Sequence, residues 1–221
     1  MKIKLILLFA AVSTLFFSCK KDDNITPAAP PSPPAPTVYS DYSNLAVGNY
    51  WIYERFNIDS SGNATPQGIY DSCYVESDTV INGNTYYFYL QPSIFGSGMQ
   101  NRLLRDSLHY IIDPYSKIWF SSESTSVLRI GSQIGMPTDT ICTYTSKMED
   151  LDSVVTFSSG AYTTDNFKTT YQMYPGYNAG GNVRYISHRY AENIGLVQET
   201  LPFFGSSPNY QERRLVRYGS N

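Results

Sequence analysis

The sequence predicts an all-β domain built on a single antiparallel, strongly curved sheet, an up-and-down barrel or half-barrel, with a β-sandwich as the alternative. Three observations lead there. The 221 residues include 20 Tyr, 11 Phe and 2 Trp, types that suit a pleated, half-buried surface. Amphipathic helical windows are nearly absent, and short alternating runs recur between Gly, Asn, Asp, Ser or Pro. Many runs carry apolar residues on both faces, as where Leu108, Tyr110 and Ile112 alternate with His109 and Ile111. A sandwich face turned to water would be more polar. A curved sheet closes one face round a core or cavity and half-covers the other.

The chain opens on Lys2 and Lys4, followed by an apolar run from Leu5 to Phe17. That run, roughly a dozen residues, is too short to span a hydrocarbon core of about 30 Å as a helix. Residues 1–18 therefore read as a secretory signal. Ser18-Cys19, followed at once by charge, resembles a bacterial lipobox, in which the cysteine is diacylated and becomes residue one of the mature chain. Cys19 is the candidate lipidation site; one acyl chain holds weakly, whereas two or three hold stably. Lys20-Lys21-Asp22-Asp23 resembles the charged export signal of surface lipoproteins in Bacteroidota. The expected location is the outer membrane, lipid-anchored and surface-exposed. Pro27 to Pro36 is proline-rich and favours polyproline II, a semi-rigid spacer on the order of 30 Å at about 3.1 Å per residue. Residues 19–38 form the lipidated N-terminus and tether, and 39–221 form one all-β globular domain, long enough for a sizeable core.

Within that domain the first strand runs from Tyr50 to Ile58, with Tyr50, Ile52, Phe56 and Ile58 expected on the core face. Asp59 to Asn63 turns the chain. Ile69 to Ile81 is the second strand, and Asn82-Gly83 is the strongest local signal, a type I′ hairpin turn that returns the chain through Thr85 to Leu90. Further strands are expected at 102–105, 107–113, 117–121, 127–130, 138–145, 153–158, 166–173, 183–190, 195–200 and 210–218. Met148 to Leu151 fits a helical turn, and Tyr174 to Gly181 a loop.

The 16 basic and 19 acidic residues give a formal net charge of −3. Loss of Lys2 and Lys4 with the leader makes it −5. A mildly acidic domain without a basic block argues against nucleic acid, whose phosphates need clustered Lys and Arg. No second long apolar run is present.

The sequence carries no recognised catalytic set. His109 and His188 both fall inside expected strands, neither at a zinc-type spacing. No nucleophile elbow, P-loop or dinucleotide fingerprint occurs. Glu149-Asp150-Leu151-Asp152 has the oxygens a hard cation needs but no loop pattern, so a solvated turn is expected, with no metal and no cofactor. Arg213, Arg214 and Arg217 alternate between faces and read as surface charges on an edge strand. Cys73 and Cys142 remain after lipidation of Cys19. An envelope location permits a disulfide between them, with buried free thiols as the alternative. Thr79, Ser107, Thr140 and Ser153 each sit in an Asp-Ser/Thr-aliphatic triplet that resembles the O-glycosylation acceptor of exported Bacteroidota proteins. Trp51 and Trp119 are the candidate ligand face.

Leu45-Ala46-Val47-Gly48-Asn49-Tyr50-Trp51, with Asp78 to Tyr87, Leu104 to Ser107, Ile194 to Val197 and Arg213 to Tyr218, resembles a loose group of uncharacterised Bacteroidota lipoproteins. The likeness spans most of the domain, and its motifs are strand starts, a hairpin and a final strand. It implies a location and a fold, and no catalytic residue. The expected function is a non-enzymatic, lipid-anchored envelope protein that binds a lipid-like ligand or serves as an accessory module. A glycan-binding protein or a structural subunit of an outer-membrane complex is the alternative.

Overall fold

A computed structural model of the chain describes residues 35–93, 97–135, 139–179, 181–202 and 210–220. Cys19 and Lys20, Lys21, Asp22 and Asp23 lie outside the described residues. The chain divides into two units, Met1–Pro36 and Thr37–Asn221, and nearly all described residues belong to the second.

Twelve strands follow one another: β1 (Asn49–Ile58), β2 (Ala64–Ile81), β3 (Asn84–Pro92), β4 (Met99–Ser107), β5 (Tyr110–Ile112), β6 (Ile118–Ser121), β7 (Val127–Ile134), β8 (Thr140–Phe157), β9 (Gly160–Met173), β10 (Val183–Ala191), β11 (Gly195–Pro202) and β12 (Tyr210–Ser220). No helix occurs among the described residues. The strands form one antiparallel sheet in the order β6-β5-β4-β3-β2-β1-β12-β11-β10-β9-β8-β7. This is the predicted up-and-down meander. Its first strand pairs with its last, from Asn49 opposite Ser220 to Ile58 opposite Tyr210. The result is a nearly closed, barrel-like sheet whose edges, β6 and β7, are neighbours in sequence.

Local chemistry sets the turns. Asn82 and Gly83 have φ of 50° and 76°, the pair of positive angles that a type I′ turn demands. Leu108, with φ of 57°, splits the single strand expected over 107–113 into the tight β4–β5 hairpin, and its side chain is 71% exposed. The expected helical turn at Met148–Leu151 is instead strand. β8 runs through it with a bulge between Glu149 and Ser153, where Asp150 and Asp152 take positive φ and bend the strand, as bulges do.

The core face of β1 also differs from the expected one. Trp51 and Tyr53 are buried, whereas Tyr50 and Ile52 are half-buried. A bulge between Glu54 and Phe56 in the pairing with β2 then changes the phase, which is how Ile58 returns to the core. One core cluster gathers Trp51, Tyr53, Cys73, Val75, Tyr89, Val197 and Leu215; a second gathers Ile111, Phe120, Met148, Phe167 and Tyr190. Gly195, at φ of 98°, leaves room against the first: a Cβ there would meet the Ser43 carbonyl at 3.0 Å and Trp51 Nε1 at 3.3 Å.

Cys73 on β2 and Cys142 on β8 are both free and buried, so the thiol alternative holds and the bridge is absent. Burial pushes the Cys73 thiol up to about 12, more than Arg213 and the Tyr89 hydroxyl lower it. Iodoacetamide at pH 8 should leave Cys73 and Cys142 unmodified in buffer and alkylate both in denaturant, read by peptide mass; rapid labelling of the native chain would contradict the packing.

Candidate functional site

The inner face of the sheet is not uniformly apolar. Cross-strand register places Arg55 opposite Arg213, Arg213 opposite Glu199, Glu199 opposite His188 and His188 opposite Phe167, in one row across β1, β12, β11, β10 and β9. Successive residues alternate faces. Each polar member, and Asp71 on the neighbouring β2, shares its face with a core residue two positions away: Arg55 with Tyr53, Asp71 with Cys73, Glu199 with Val197, Arg213 with Leu215, His188 with Tyr190.

Salt bridges join the row. Arg55 holds Asp71 with two bonds of 2.7 Å. Arg213 Nε lies 2.7 Å from Asp71 Oδ2, although its N–H is not aimed along a hydrogen-bond line. Arg213 Nη1 lies 3.4 Å from Glu199 Oε2, and His188 Nε2 lies 3.3 Å from Glu199 Oε1. Arg213 also donates to the Pro92 carbonyl at 2.5 Å, and Arg55 to the Ser93 carbonyl at 3.2 Å. Asp71, Glu199 and Arg213 are each 2% exposed. The edge-strand reading of Arg213 is therefore corrected: β12 lies inside the sheet, between β1 and β11, and Arg213 points inward. Burial alone would raise Glu199, but His188, Arg102 and Arg213 outweigh it and hold its carboxyl down at about 2.

A second cluster faces the two sheet edges. Trp119 on β6 is half-buried. Lys117 Nζ lies 4.2 Å from its ring centre, the Arg102 guanidinium 4.6 Å and the Arg129 guanidinium 5.4 Å. Arg129, on β7, also stands 4.8 Å over Phe167 of β9. Side chains thus cross the gap between β6 and β7. Beside this cluster, Asn101, Arg102, Leu103 and Leu104 of β4, with Ile81, Asp113, Pro114, Tyr115 and Trp119, line a recess of about 630 Å³. It exists because β5 pairs with β4 only through Arg105, Asp106 and Ser107, leaving the rest of that edge uncovered. By contrast, the space between Trp51, Tyr53, Tyr89, Arg102 and Tyr190 is about 30 Å³, the size of a water molecule.

The other sequence candidates are placed as follows. Trp51 is 2% exposed and donates from Nε1 to the Ile194 carbonyl at 2.6 Å. It is a core anchor and not part of a ligand face; its spacing from the half-buried Trp119 separates two roles that composition alone could not. Thr79, Ser107, Thr140 and Ser153 are all half-buried in or at the ends of strands. His109 Nδ1 bonds Ser121 Oγ at 2.9 Å. Glu149 pairs with Lys147 and Lys168, and Asp150 with Arg189. No group of three His, Cys, Asp or Glu able to hold a metal occurs among the described residues. Sequence reading missed Asp71, Glu199 and Arg213; the signal was each residue's shared phase with a core aromatic or aliphatic two positions away.

No family model and no curated protein sequence matches the chain. Two solved structures resemble it. One, from Bacteroides fragilis, is described as exported and as having a YmcC-like fold; it is 11% identical, at a TM-score of 0.46, over 82% of this chain and 100% of that one. The other, from Parabacteroides distasonis, is described as a lipoprotein; it is 10% identical, at a TM-score of 0.46, over 83% of this chain and 100% of that one. Neither likeness carries a residue role across.

Removing one partner of a buried ion pair leaves an uncompensated charge, so Glu199→Gln or Asp71→Asn should cost about 3–5 kcal/mol. Thermal melting would record a loss on the order of 10 °C for a domain of this size; a change of a degree or two would show the network to be dispensable. A free glutamate titrates near about 4.3, and Glu199 is held at about 2. On acidification the unfolded state therefore takes up its proton first. The Glu199 contribution should be whole above about pH 4.5 and fade as pH falls towards 2, and Glu199→Gln should flatten that part of the stability–pH curve.

Proposed function

We propose that this chain is a non-catalytic binding or accessory module of the bacterial envelope, held at the outer membrane through Cys19, with a lipid-like molecule as ligand. One observation carries the reading: the recess of about 630 Å³ beside β4. Its walls are largely apolar, through Ile81, Leu103, Leu104, Pro114 and Trp119, with Arg102, Asn101 and Asp113 as polar points; one Asp113 oxygen is taken by the backbone N–H groups of Tyr115 and Lys117. Tyr115, 92% exposed, adds an apolar ring with a polar tip. Clefts of roughly 300–1,000 Å³ with apolar walls and a few placed polar groups suit ligands of this kind. The barrel centre, filled by its own side chains, does not offer comparable space.

The non-catalytic part of the reading is supported by the state of the Ser–His hydrogen bond found among the described residues, His109 to Ser121. Ser121 is buried, and its hydroxyl accepts the backbone N–H groups of Glu123 and Ser124. That is the geometry of a turn cap, not of a presented nucleophile.

The mature protein, released gently from its native envelope in detergent, should carry an adduct in native mass spectrometry. On denaturation that adduct should be recovered as a lipid. Tyr115→Ala with Leu103→Ser should reduce its occupancy severalfold. A bare wild-type chain would remove the lipid reading and turn attention to glycan or protein partners.

A further inference from the structure

The three cations of the candidate site are only partly matched by acids among the described residues. Arg102, Lys117 and Arg129 surround one indole. Two carboxylates face them. Glu199 lies 3.9 Å from Arg102 and is already shared by His188 and Arg213. Asp113 acts on Lys117. Among the described residues no carboxylate acts on Arg129. It bonds Ser146 Oγ at 3.3 Å, Arg102 and Lys117 are charged neighbours, and Tyr144, Tyr171 and Tyr190 surround it. A ring face stabilises a cation by about 0.5–2 kcal/mol, and three cations around one ring also repel each other.

Two donors in this cluster are buried and unused. Arg129 Nε and Trp119 Nε1 have no hydrogen-bond partner. A buried donor left unmade is costly; others occur elsewhere in the sheet, such as Arg213 Nε and His188 Nδ1, but these two stand among unmatched charge. Unmatched positive charge and idle N–H groups occur together, at the place where Arg102 and Trp119 line the recess.

We infer that this end of the recess is an oxyanion site, in which Arg102, Lys117 and Arg129 take the carboxylate or phosphate head of an amphiphile and Trp119 packs beside it. The inference rests on the ligand-binding reading of the recess and narrows it to an acidic amphiphile. Arg102 and Arg129 present planar guanidinium donors, which suit such heads. Lys117, an exposed residue whose ammonium is partly covered by the Trp119 ring, supplies a further charge from the rim. Burial, then Arg129 and then Arg102, pull the Lys117 ammonium below its ordinary range, against Asp113; an anion placed among them would reverse that.

The test uses the mature lipidated protein in phosphatidylcholine nanodiscs, titrated by calorimetry at constant ionic strength. The probes are inorganic phosphate, hexyl phosphate and 1-hexanol. Hexyl phosphate should bind more tightly than either of the others. Equal binding of hexyl phosphate and inorganic phosphate, without hexanol, would keep the oxyanion site and overturn the lipid reading. Equal binding of hexyl phosphate and hexanol, without inorganic phosphate, would do the reverse. No binding of any probe would overturn both.

Arg129→Met should weaken hexyl phosphate about tenfold or more, the scale of a lost charged hydrogen bond. It should melt no lower than wild type in the absence of anion, since an uncompensated charge has gone. Lys117→Met changes an exposed side chain and should weaken binding severalfold. Unchanged phosphate-ester affinity in Lys117→Met and Arg129→Met would overturn the site.

Discussion

Arg213 is the side chain on which the closure of this sheet depends. It stands on the last strand and touches Asp71 on β2, Glu199 on β11 and the Pro92 carbonyl at the end of β3. A buried ion network adds less stability than apolar packing of the same volume would. Its stronger effect is on register. Sliding β12 by one residue would turn Arg213 to the outer face and leave Asp71 and Glu199 buried without their shared cation. The apolar residues of the same face, Tyr53, Cys73, Val197 and Leu215, tolerate more variation in their neighbours than a fixed set of charges does. The network thus pins the pairing of β1 with β12, and that pairing moves the gap in the sheet to β6 and β7.

Much of this fold was legible because strand periodicity is a local property. The meander, the Asn82-Gly83 hairpin and the Tyr174 loop all follow from alternation and turn chemistry. What was hidden depends on partners distant in sequence. Bulges are one case: the phase changes near Glu54 and between Glu149 and Ser153 reassign the core face of β1 and turn an expected helical segment into strand. Arg213 is another. Three arginines near a chain end resemble an exposed edge unless the first strand is known to cover it. Trp51 and Trp119 are equivalent in composition, and the difference between a core anchor and a recess wall lies in which strands flank them. The recess itself was not legible, since it results from β5 covering only the last three paired residues of β4.

The interior therefore contains charge of two kinds. At the centre, Arg55, Asp71, Arg213, Glu199 and His188 lie close together, and the space between Arg55, Glu199 and Arg213 is too small for a water molecule. Both carboxylates there are met by arginines. At the gap between β6 and β7, the sheet edges are joined by Arg129 and Trp119 with no backbone ladder, and Arg102 links the two regions by facing Glu199 on one side and the indole on the other.

This arrangement separates stability from binding. A register lock has to be internally neutralised, because any unpaired charge in it would act against the fold at all times. A binding site gains from the opposite condition, since the cost of its unmatched donors in the free protein is relieved when ligand arrives. Arg102 belongs to both sets, and its 3.9 Å distance to Glu199 is the longest of the salt bridges formed by Asp71 or Glu199. Glu199 is already met more closely by His188 and Arg213, so Arg102 can turn towards an anion without leaving that carboxylate unpaired. The ionic lock and the recess can therefore share a side chain while the lock keeps its register.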